Sequence, residues 1–228
     1  MPIMNKYAVI VAGGKGSRML SDLPKQFMKL AGKPVLMHTI TRFTKIQGLE
    51  VILVLPKDQV SFWKELCTKY DFESPIVVEG GMTRFHSVQN GLNAISDQEG
   101  LVAIHDGVRP FISKSIILDS FKSAKNHGSG LVVIELKDSL RQLIGANNFA
   151  QERKDFRLVQ TPQSFDLRII KNAYNVDYKD SFTDDSSVFE NFGGKVYLVN
   201  GDYRNIKITT PEDLEIAEMF IKTFKYEA

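Results

Sequence analysis

Short, β-branched apolar runs recur along this chain with amphipathic stripes between them, and that alternation constrains its fold more than any other feature. Tyr7–Val11, Val51–Leu55, Ile76–Val78, Leu101–His105 and Leu131–Leu136 are nearly continuous apolar runs of strand length. Such runs mark parallel strands covered on both faces. Between them, Leu36, Ile40, Phe43 and Ile46 form one helical stripe behind Pro34, a proline suited to a first helical position. Val60, Trp63, Cys67 and Tyr70 form a second, and Phe85, Val88, Leu92 and Ile95 a third. Pro211-Glu212-Asp213 opens a last helix with acids suited to its N-terminus. Strands alternating with helices predict an α/β fold: a doubly wound, mostly parallel, Rossmann-like sheet. Ligands of such sheets bind beyond the carboxyl ends of the strands.

A chain of 228 residues without repeats or low-complexity linkers reads as a single domain, 1–228. One segment, 137–160, breaks the alternation. It is rich in charge and amide and carries a Gly145-Ala146-Asn147-Asn148 turn. A β-hairpin arm projecting from the sheet and an ordinary surface loop are equal readings of it.

A net charge of +2 gives no reason to expect nucleic acid or a membrane surface as partner, so the cations matter locally. The single cysteine, Cys67, excludes an intramolecular disulfide and a cysteine-cluster metal site. No apolar stretch follows the opening residues as in a signal peptide, and none approaches a bilayer span. A cytoplasmic protein is the expectation.

The first strand empties into Ala12-Gly13-Gly14-Lys15-Gly16-Ser17-Arg18, with Pro24-Lys25-Gln26 close behind. Glycines let the backbone approach a ligand and turn its N–H groups inward, forming an anion nest. Lys15, Arg18 and Lys25 can neutralise a triphosphate there, Arg by forked contacts and Lys as a point charge. The spacing is neither a Walker loop nor a dinucleotide fingerprint. Three further stretches bear on chemistry. In His105-Asp106-Gly107-Val108-Arg109-Pro110, Asp106 at a strand end suits Mg²⁺ whose other ligands are substrate phosphates; it also suits a turn or cap. Arg109 reads as a brace of that loop and His105 as a strand-end residue. In Glu79-Gly80-Gly81-Met82-Thr83-Arg84-Phe85-His86-Ser87, backbone groups can read a base edge, and Ser87 is either a base or ribose contact or a helix-start residue. Lys207 interrupts a β-branched strand, and Thr183-Asp184-Asp185-Ser186 reads as a capped helix start. No Ser-His-Asp or Cys-His nucleophile set is present, and no His or Cys has zinc-ligand spacing.

Taken in order, the glycine loop, Pro24-Lys25-Gln26, Gly80-Gly81 with Arg84 and Ser87-Val88, His105-Asp106 with Arg109-Pro110, Gln160-Thr161-Pro162-Gln163, Thr183-Asp184 and Asn205-Ile206-Lys207 resemble the 2-C-methyl-D-erythritol 4-phosphate cytidylyltransferases over nearly the whole chain. The resemblance implies a nucleotidyltransferase that makes CDP-methylerythritol and pyrophosphate from CTP and methylerythritol phosphate, with Mg²⁺ or another divalent cation. It implies that Arg18 and Lys25 steady the α-phosphate. Ala12, Gly13, Gly14, Gly16, Gly81, Ser87, Asp106 and Gly107 would line the CTP site, Asp106 also holding the metal. Arg153, Lys207, Ser139 and Thr183 would position the acceptor, Ser139 standing where a threonine is usual. It further implies a homodimer in which arm 137–160 reaches the neighbouring active site. Gly107-Val108 and Met82 depart from the family pattern, Met82 replacing an acidic residue that can occur there. The ribitol 5-phosphate cytidylyltransferases share the glycine loop, His-Asp-x-x-Arg-Pro and the late lysine, and differ in acceptor. A nucleotide-binding protein without turnover ranks below both, because Arg18 and Lys25 are present. An NAD-dependent oxidoreductase is disfavoured by the glycine spacing.

Overall fold

The computed structural model describes residues 4–14 and 23–223. Its centre is a seven-stranded sheet made of β1 (Lys6–Val11), β4 (Leu49–Leu55), β5 (Ile76–Glu79), β6 (Leu101–Asp106), β7 (Ser129–Glu135), β10 (Arg157–Asp166) and β11 (Leu198–Asn200), in the order β11-β7-β10-β6-β1-β4-β5. Two small ribbons stand apart, β2 (Lys29–Leu30) with β3 (Lys33–Pro34) and β8 (Leu140–Ile144) with β9 (Asn147–Gln151). In the main sheet, β1 pairs parallel with β4 and β6, β4 with β5, and β7 with β11. Only β10 runs the other way, antiparallel to both β6 and β7.

Alternation along β1 sorts the core. Ala8 and Ile10 join a cluster with Leu36, Ile40 and Phe43 of α1 (Val35–Thr44), Trp63 of α2 (Val60–Tyr70) and Phe121 of α4 (Lys114–His127). Tyr7, Val9 and Val11 join the opposite cluster with Phe85, Val88 and Leu92 of α3 (Arg84–Asn93), Leu167 and Ile170 of α5 (Leu167–Ala173) and Val188 of α6 (Asp185–Asn191). A period of two on the strand meets a helical period on each side, so the sheet is covered on both faces. Pro34, expected at the first helical position of α1, stands one residue earlier as its N-cap. The last helix, α7 (Pro211–Thr223), buries Ala217 against Leu30, Val35, Val108 and Ile208. Within α2 only Trp63 is fully covered, and its Nε1 donates to Ser74 Oγ at 2.9 Å.

Several expectations are corrected here. The strand at Ile76 is an edge strand paired only with β4, and Ile76 itself is half exposed rather than buried. The strand at Leu131 is parallel only to β11; its other neighbour, β10, was not foreseen. Segment 137–160 does contain a hairpin, β8–β9, turned at Gly145 with φ 59°. Its final residues, however, from Arg157 on, belong to β10 of the main sheet. Ile206-Lys207-Ile208 is not a strand; one backbone bond, Ile208 N to Val108 O at 2.9 Å, ties it beside the β6 loop. Among the described residues no helix is long and apolar enough to cross a membrane.

Candidate active site

The carboxyl ends of β1, β4, β5 and β6 open into one cleft of about 220 Å³. Ala12, Gly13 and Gly14 enter it after β1, Pro56 after β4, Gly80 and Gly81 after β5, and Asp106 at the end of β6. The central strand β1, flanked by β4 on one side and β6 on the other, is the position where such sheets bind ligands.

Lys25 is brought to the glycine loop by its neighbours. It starts a 3₁₀ turn, Lys25–Phe27. Phe27 is buried edge-on to Phe62, with ring centroids 5.2 Å apart. Gln26 is wholly buried and donates from Nε2 to Ala12 O at 2.8 Å and to Gln59 Oε1 at 2.6 Å. These anchors lay the lysine stem across the loop: a β-carbon added at Gly14 would stand 3.3 Å from Lys25 Cε. The cation thus lies over the backbone that the sequence marks for phosphate.

Asp106 is the hub of the opposite wall. Lys207 Nζ stands 3.0 Å from its Oδ2, Arg109 Nε 3.2 Å from the same oxygen and Arg84 Nε 3.6 Å from Oδ1. Burial works to raise the pKa of this carboxyl; Arg84, Lys207 and Arg109 outweigh it and hold the group well below the usual carboxylate range. Arg109 also donates from Nη1 to Asn205 O at 2.9 Å, so it braces the late segment against the β6 loop. His105 is fully buried, its Nε2 3.2 Å from Arg109 O and its Nδ1 3.1 Å from Thr161 Oγ1. Burial pushes its pKa down to about 4, keeping it neutral. With Nε2–H donating to a carbonyl, Nδ1 accepts from the Thr161 hydroxyl, whose oxygen accepts in turn from Asp106 N–H at 3.1 Å. His105 therefore orients the strand end.

The β5–α3 loop is braced internally. Ser87 Oγ accepts from Gly81 N at 3.2 Å and donates to Thr83 O at 3.0 Å. That hydroxyl is thus a loop brace at the cleft wall, and Thr83, not Ser87, caps α3. A β-carbon at Gly81 would fall 2.3 Å from His86 Cβ, so only glycine fits. Met82, at the rim, is 94% exposed.

The structure therefore gathers Ala12, Gly13, Gly14, Lys25, Gly81, Ser87, Asp106 and Lys207 around one cleft. Gly107 does not line it; a β-carbon there would meet Ala12 Cβ at 2.8 Å and Leu36 Cδ1 at 2.9 Å, so this glycine serves packing behind the cleft. Arg153, Ser139 and Thr183 are exposed and outside the cleft within this chain. Arg153 donates from Nη1 to Lys137 O at the foot of the hairpin. Gly16 and Arg18, with Lys15, lie outside the described residues. Sequence reasoning passed over Gln26 and Arg84 as site residues. Both stand inside the quoted motifs, Gln26 beside Lys25 and Arg84 three residues after Gly81, and that was their signal.

Among the described residues no three His, Cys, Asp or Glu side chains form a metal cluster, and Asp106 is the only carboxylate among those lining the cleft. The donor set fits a hard cation held by one carboxylate with phosphate oxygens and water as its remaining ligands. It does not fit a metal caged by protein alone.

Known proteins match along the same length. The family model described as 2-C-methyl-D-erythritol 4-phosphate cytidylyltransferase matches residues 6–223. Relatives of that name from Phocaeicola vulgatus and Bacteroides thetaiotaomicron are each 47% identical over 220 residues, covering 96% of this chain and 100% of theirs. The solved 4-diphosphocytidyl-2C-methyl-D-erythritol synthase of Anaerococcus prevotii superposes with a TM-score of 0.82 at 32% identity, over 96% of both chains. The 2-C-methyl-D-erythritol 4-phosphate cytidylyltransferase of Francisella tularensis does so with a TM-score of 0.79 at 31% identity, over 94% of this chain and 99% of that one. With the strand order, the glycine loop and the Asp106 hub already in place, these matches show that this chain belongs to the 2-C-methyl-D-erythritol 4-phosphate cytidylyltransferase family.

Proposed function

We infer that this chain transfers CMP from CTP to 2-C-methyl-D-erythritol 4-phosphate, giving CDP-methylerythritol and pyrophosphate, a step of isoprenoid precursor synthesis. The observation that carries this reading is the single cleft in which Lys25 crosses the glycine loop while Lys207 is held at Asp106.

In the reaction an oxygen of the acceptor phosphate forms a bond to the α-phosphorus of CTP, and the bond from that phosphorus to the bridging oxygen of pyrophosphate breaks. A phosphate monoester is already ionised at neutral pH, so attack needs no general base. The difficulty is the meeting of two anions and the growth of charge at the α-phosphate. Fixed cations address both by positioning and electrostatic stabilisation. Lys25, with Arg18 of the glycine-rich stretch, is assigned to the α-phosphate. Lys207 is assigned to the acceptor phosphate, with Arg153, Ser139 and Thr183 completing that side. Ala12, Gly13 and Gly14 offer backbone to the triphosphate, and Gly81 to the base. Asp106 would hold a Mg²⁺ or similar ion, which when bound supplies charge neutralisation across the triphosphate oxygens.

The exposed position of Arg153 and Ser139 favours their acting in a neighbouring copy. The hairpin and its flanks also leave Leu143, Ile144, Phe149, Phe156 and Leu158 exposed, at 40–77%. So much apolar surface on one arm favours a homodimer closed through segment 137–160.

Pyrophosphate release with CTP and Mg²⁺ tests the reading, with methylerythritol 4-phosphate and ribitol 5-phosphate as rival acceptors. Release with methylerythritol phosphate alone is the expected result. Release only with ribitol phosphate would overturn the acceptor and leave the transfer chemistry.

A further inference from the structure

Arg84 opens α3 and reaches two carboxylates across the cleft floor. Its Nη1 and Nη2 donate to Asp185 Oδ1 and Oδ2 at 2.8 and 2.7 Å, while its Nε faces Asp106 Oδ1 at 3.6 Å. Asp185 is wholly buried at the start of α6 and receives the Tyr174 hydroxyl on Oδ1 at 2.6 Å. The Tyr174 ring stacks on Phe85, the residue after Arg84, with centroids 4.8 Å apart. The start of α6 is itself fixed to the sheet. Gln163 of β10 donates from Nε2 to Asp184 Oδ2 at 3.0 Å and accepts from Ser186 N at 2.8 Å. Gln163 also stands opposite Ile104 of β6, two residues before Asp106. Polar contacts therefore run from the sheet beside Asp106, through Gln163 and α6, to Asp185 and Arg84, and back to Asp106.

Burial disfavours the Arg84 cation, but Asp185 and Asp106 outweigh it and hold it charged. A buried ion pair of this kind gains little over apolar packing of the same volume, because desolvation offsets the attraction. What apolar packing cannot do is orient a guanidinium. With both terminal nitrogens committed to Asp185, Arg84 can turn only its Nε edge to Asp106, and it does so at a distance that acts by charge rather than by a hydrogen bond. Asp106 in turn carries Lys207 on its other oxygen.

We propose that Arg84 is a positioning residue for the transfer, clamped by Asp185 and, through it, by Tyr174, and that this strut fixes the Asp106 carboxylate and so the Lys207 cation that meets the acceptor. The proposal rests on the cytidylyltransferase reading and adds three residues to it, none of them a catalytic residue. It explains why the nucleotide-side loop at α3 and the Thr183–Asp185 segment are joined by charge in a place where apolar contact would give equal stability.

The test is a double-mutant cycle on the full chain, with CTP and methylerythritol 4-phosphate, reading kcat, both KM values and CTP affinity by calorimetry. Thermal unfolding of each variant reports its fold. Arg84→Lys keeps a charge but loses the fork, and kcat falls by about 10²-fold, the cost of a small misplacement at a reacting centre. Tyr174→Phe removes one hydroxyl; kcat falls roughly 5-fold and acceptor KM rises, while CTP affinity stays within about 2-fold. In the Arg84→Lys background the same change costs less than about 2-fold, because its route to Asp106 is already broken. A folded Tyr174→Phe enzyme with unchanged kcat and acceptor KM overturns the proposal, as does an equal effect in both backgrounds. Should Arg84→Lys fail to fold, Tyr174→Phe alone decides by the same criteria. A wild-type protein that releases no pyrophosphate with this acceptor overturns the functional reading itself, a result distinct from active wild type with indifferent variants.

Discussion

Lys207 Nζ stands 3.0 Å from Asp106 Oδ2 across 101 residues of chain, so the lysine assigned to the acceptor and the carboxylate assigned to the metal are already partners before any substrate arrives. Asp106 keeps Arg84 and Arg109 when Lys207 is lost, and with them its ionised state. Lys207→Ala therefore removes the acceptor contact without leaving a stranded buried charge. The expected outcome is a rise in acceptor KM and a fall in kcat of about 10²-fold, with CTP affinity within about 3-fold of wild type. Steady-state kinetics with calorimetric CTP titration check this, and an equal loss of CTP affinity would put Lys207 on the wrong side of the site.

Lys25 Cε lies 3.3 Å from where a β-carbon on Gly14 would stand, and its neighbours Gln26 and Phe27 are themselves buried. Lys25→Ala should leave the fold intact and lower turnover by about 10²–10³-fold, the loss expected for one preorganised charge at the reacting centre. Single-turnover pyrophosphate release at saturating CTP measures it. A near-normal rate would remove the α-phosphate assignment.

Legibility in the sequence followed the range of the interaction. The first strand, the capped helix start at Thr183–Ser186, whose N-cap is Asp184, and the α3 stripe are local patterns, and each stands close to its expected place. Strand β10 was missed because its apolar pattern is broken around Pro162, where its register with β7 shifts. Its strand character comes from filling the gap between β6 and β7, which no window of sequence contains. The Arg84–Asp185 pair spans 101 residues, and in sequence Asp185 shows only as part of a helix start. Lys207 looked like one polar residue in a strand. The backbone bond of its segment to Val108 and the Arg109 bond to Asn205 O bring it to Asp106.

The arm gives a prediction about assembly. Leu143 is 77% exposed on the hairpin, where a monomer gains nothing from leucine. Leu143→Asp should shift a dimer to a monomer in sedimentation velocity, with activity falling in step as Arg153 and Ser139 are withdrawn from the neighbouring cleft. Arg153→Ala should instead leave the dimer intact and raise acceptor KM while sparing CTP binding. A wild-type chain that sediments as a fully active monomer would end the dimer proposal.

His105 sets a pH dependence of stability with a definite sign. Burial lowers its pKa in the folded chain to about 4, against an ordinary value near 6.5. Above pH 6.5 both folded and unfolded chains hold it neutral, and its full contribution to stability is present. As pH falls from about 6.5 towards 4, the unfolded chain takes up a proton that the folded chain refuses, so stability drops until the folded group also titrates. The gap corresponds to a loss on the order of 3 kcal/mol. The Asp106 carboxyl, held low by Arg84, Lys207 and Arg109 against the effect of burial, adds its own loss as pH falls into and below the ordinary carboxylate range, so its window overlaps the lower end of the His105 window. His38 adds a loss that also begins as pH falls through its ordinary value, its pKa lowered by burial in spite of its bond to Leu30 O. Urea unfolding in metal-free buffer at steps from pH 7.5 to 4.5 should show the midpoint falling throughout. His105→Gln, which keeps a hydrogen-bonding side chain but cannot titrate, should be less stable at pH 7.5 and show a shallower fall. Equal slopes in the two proteins would mean that His105 is not the group that refuses the proton.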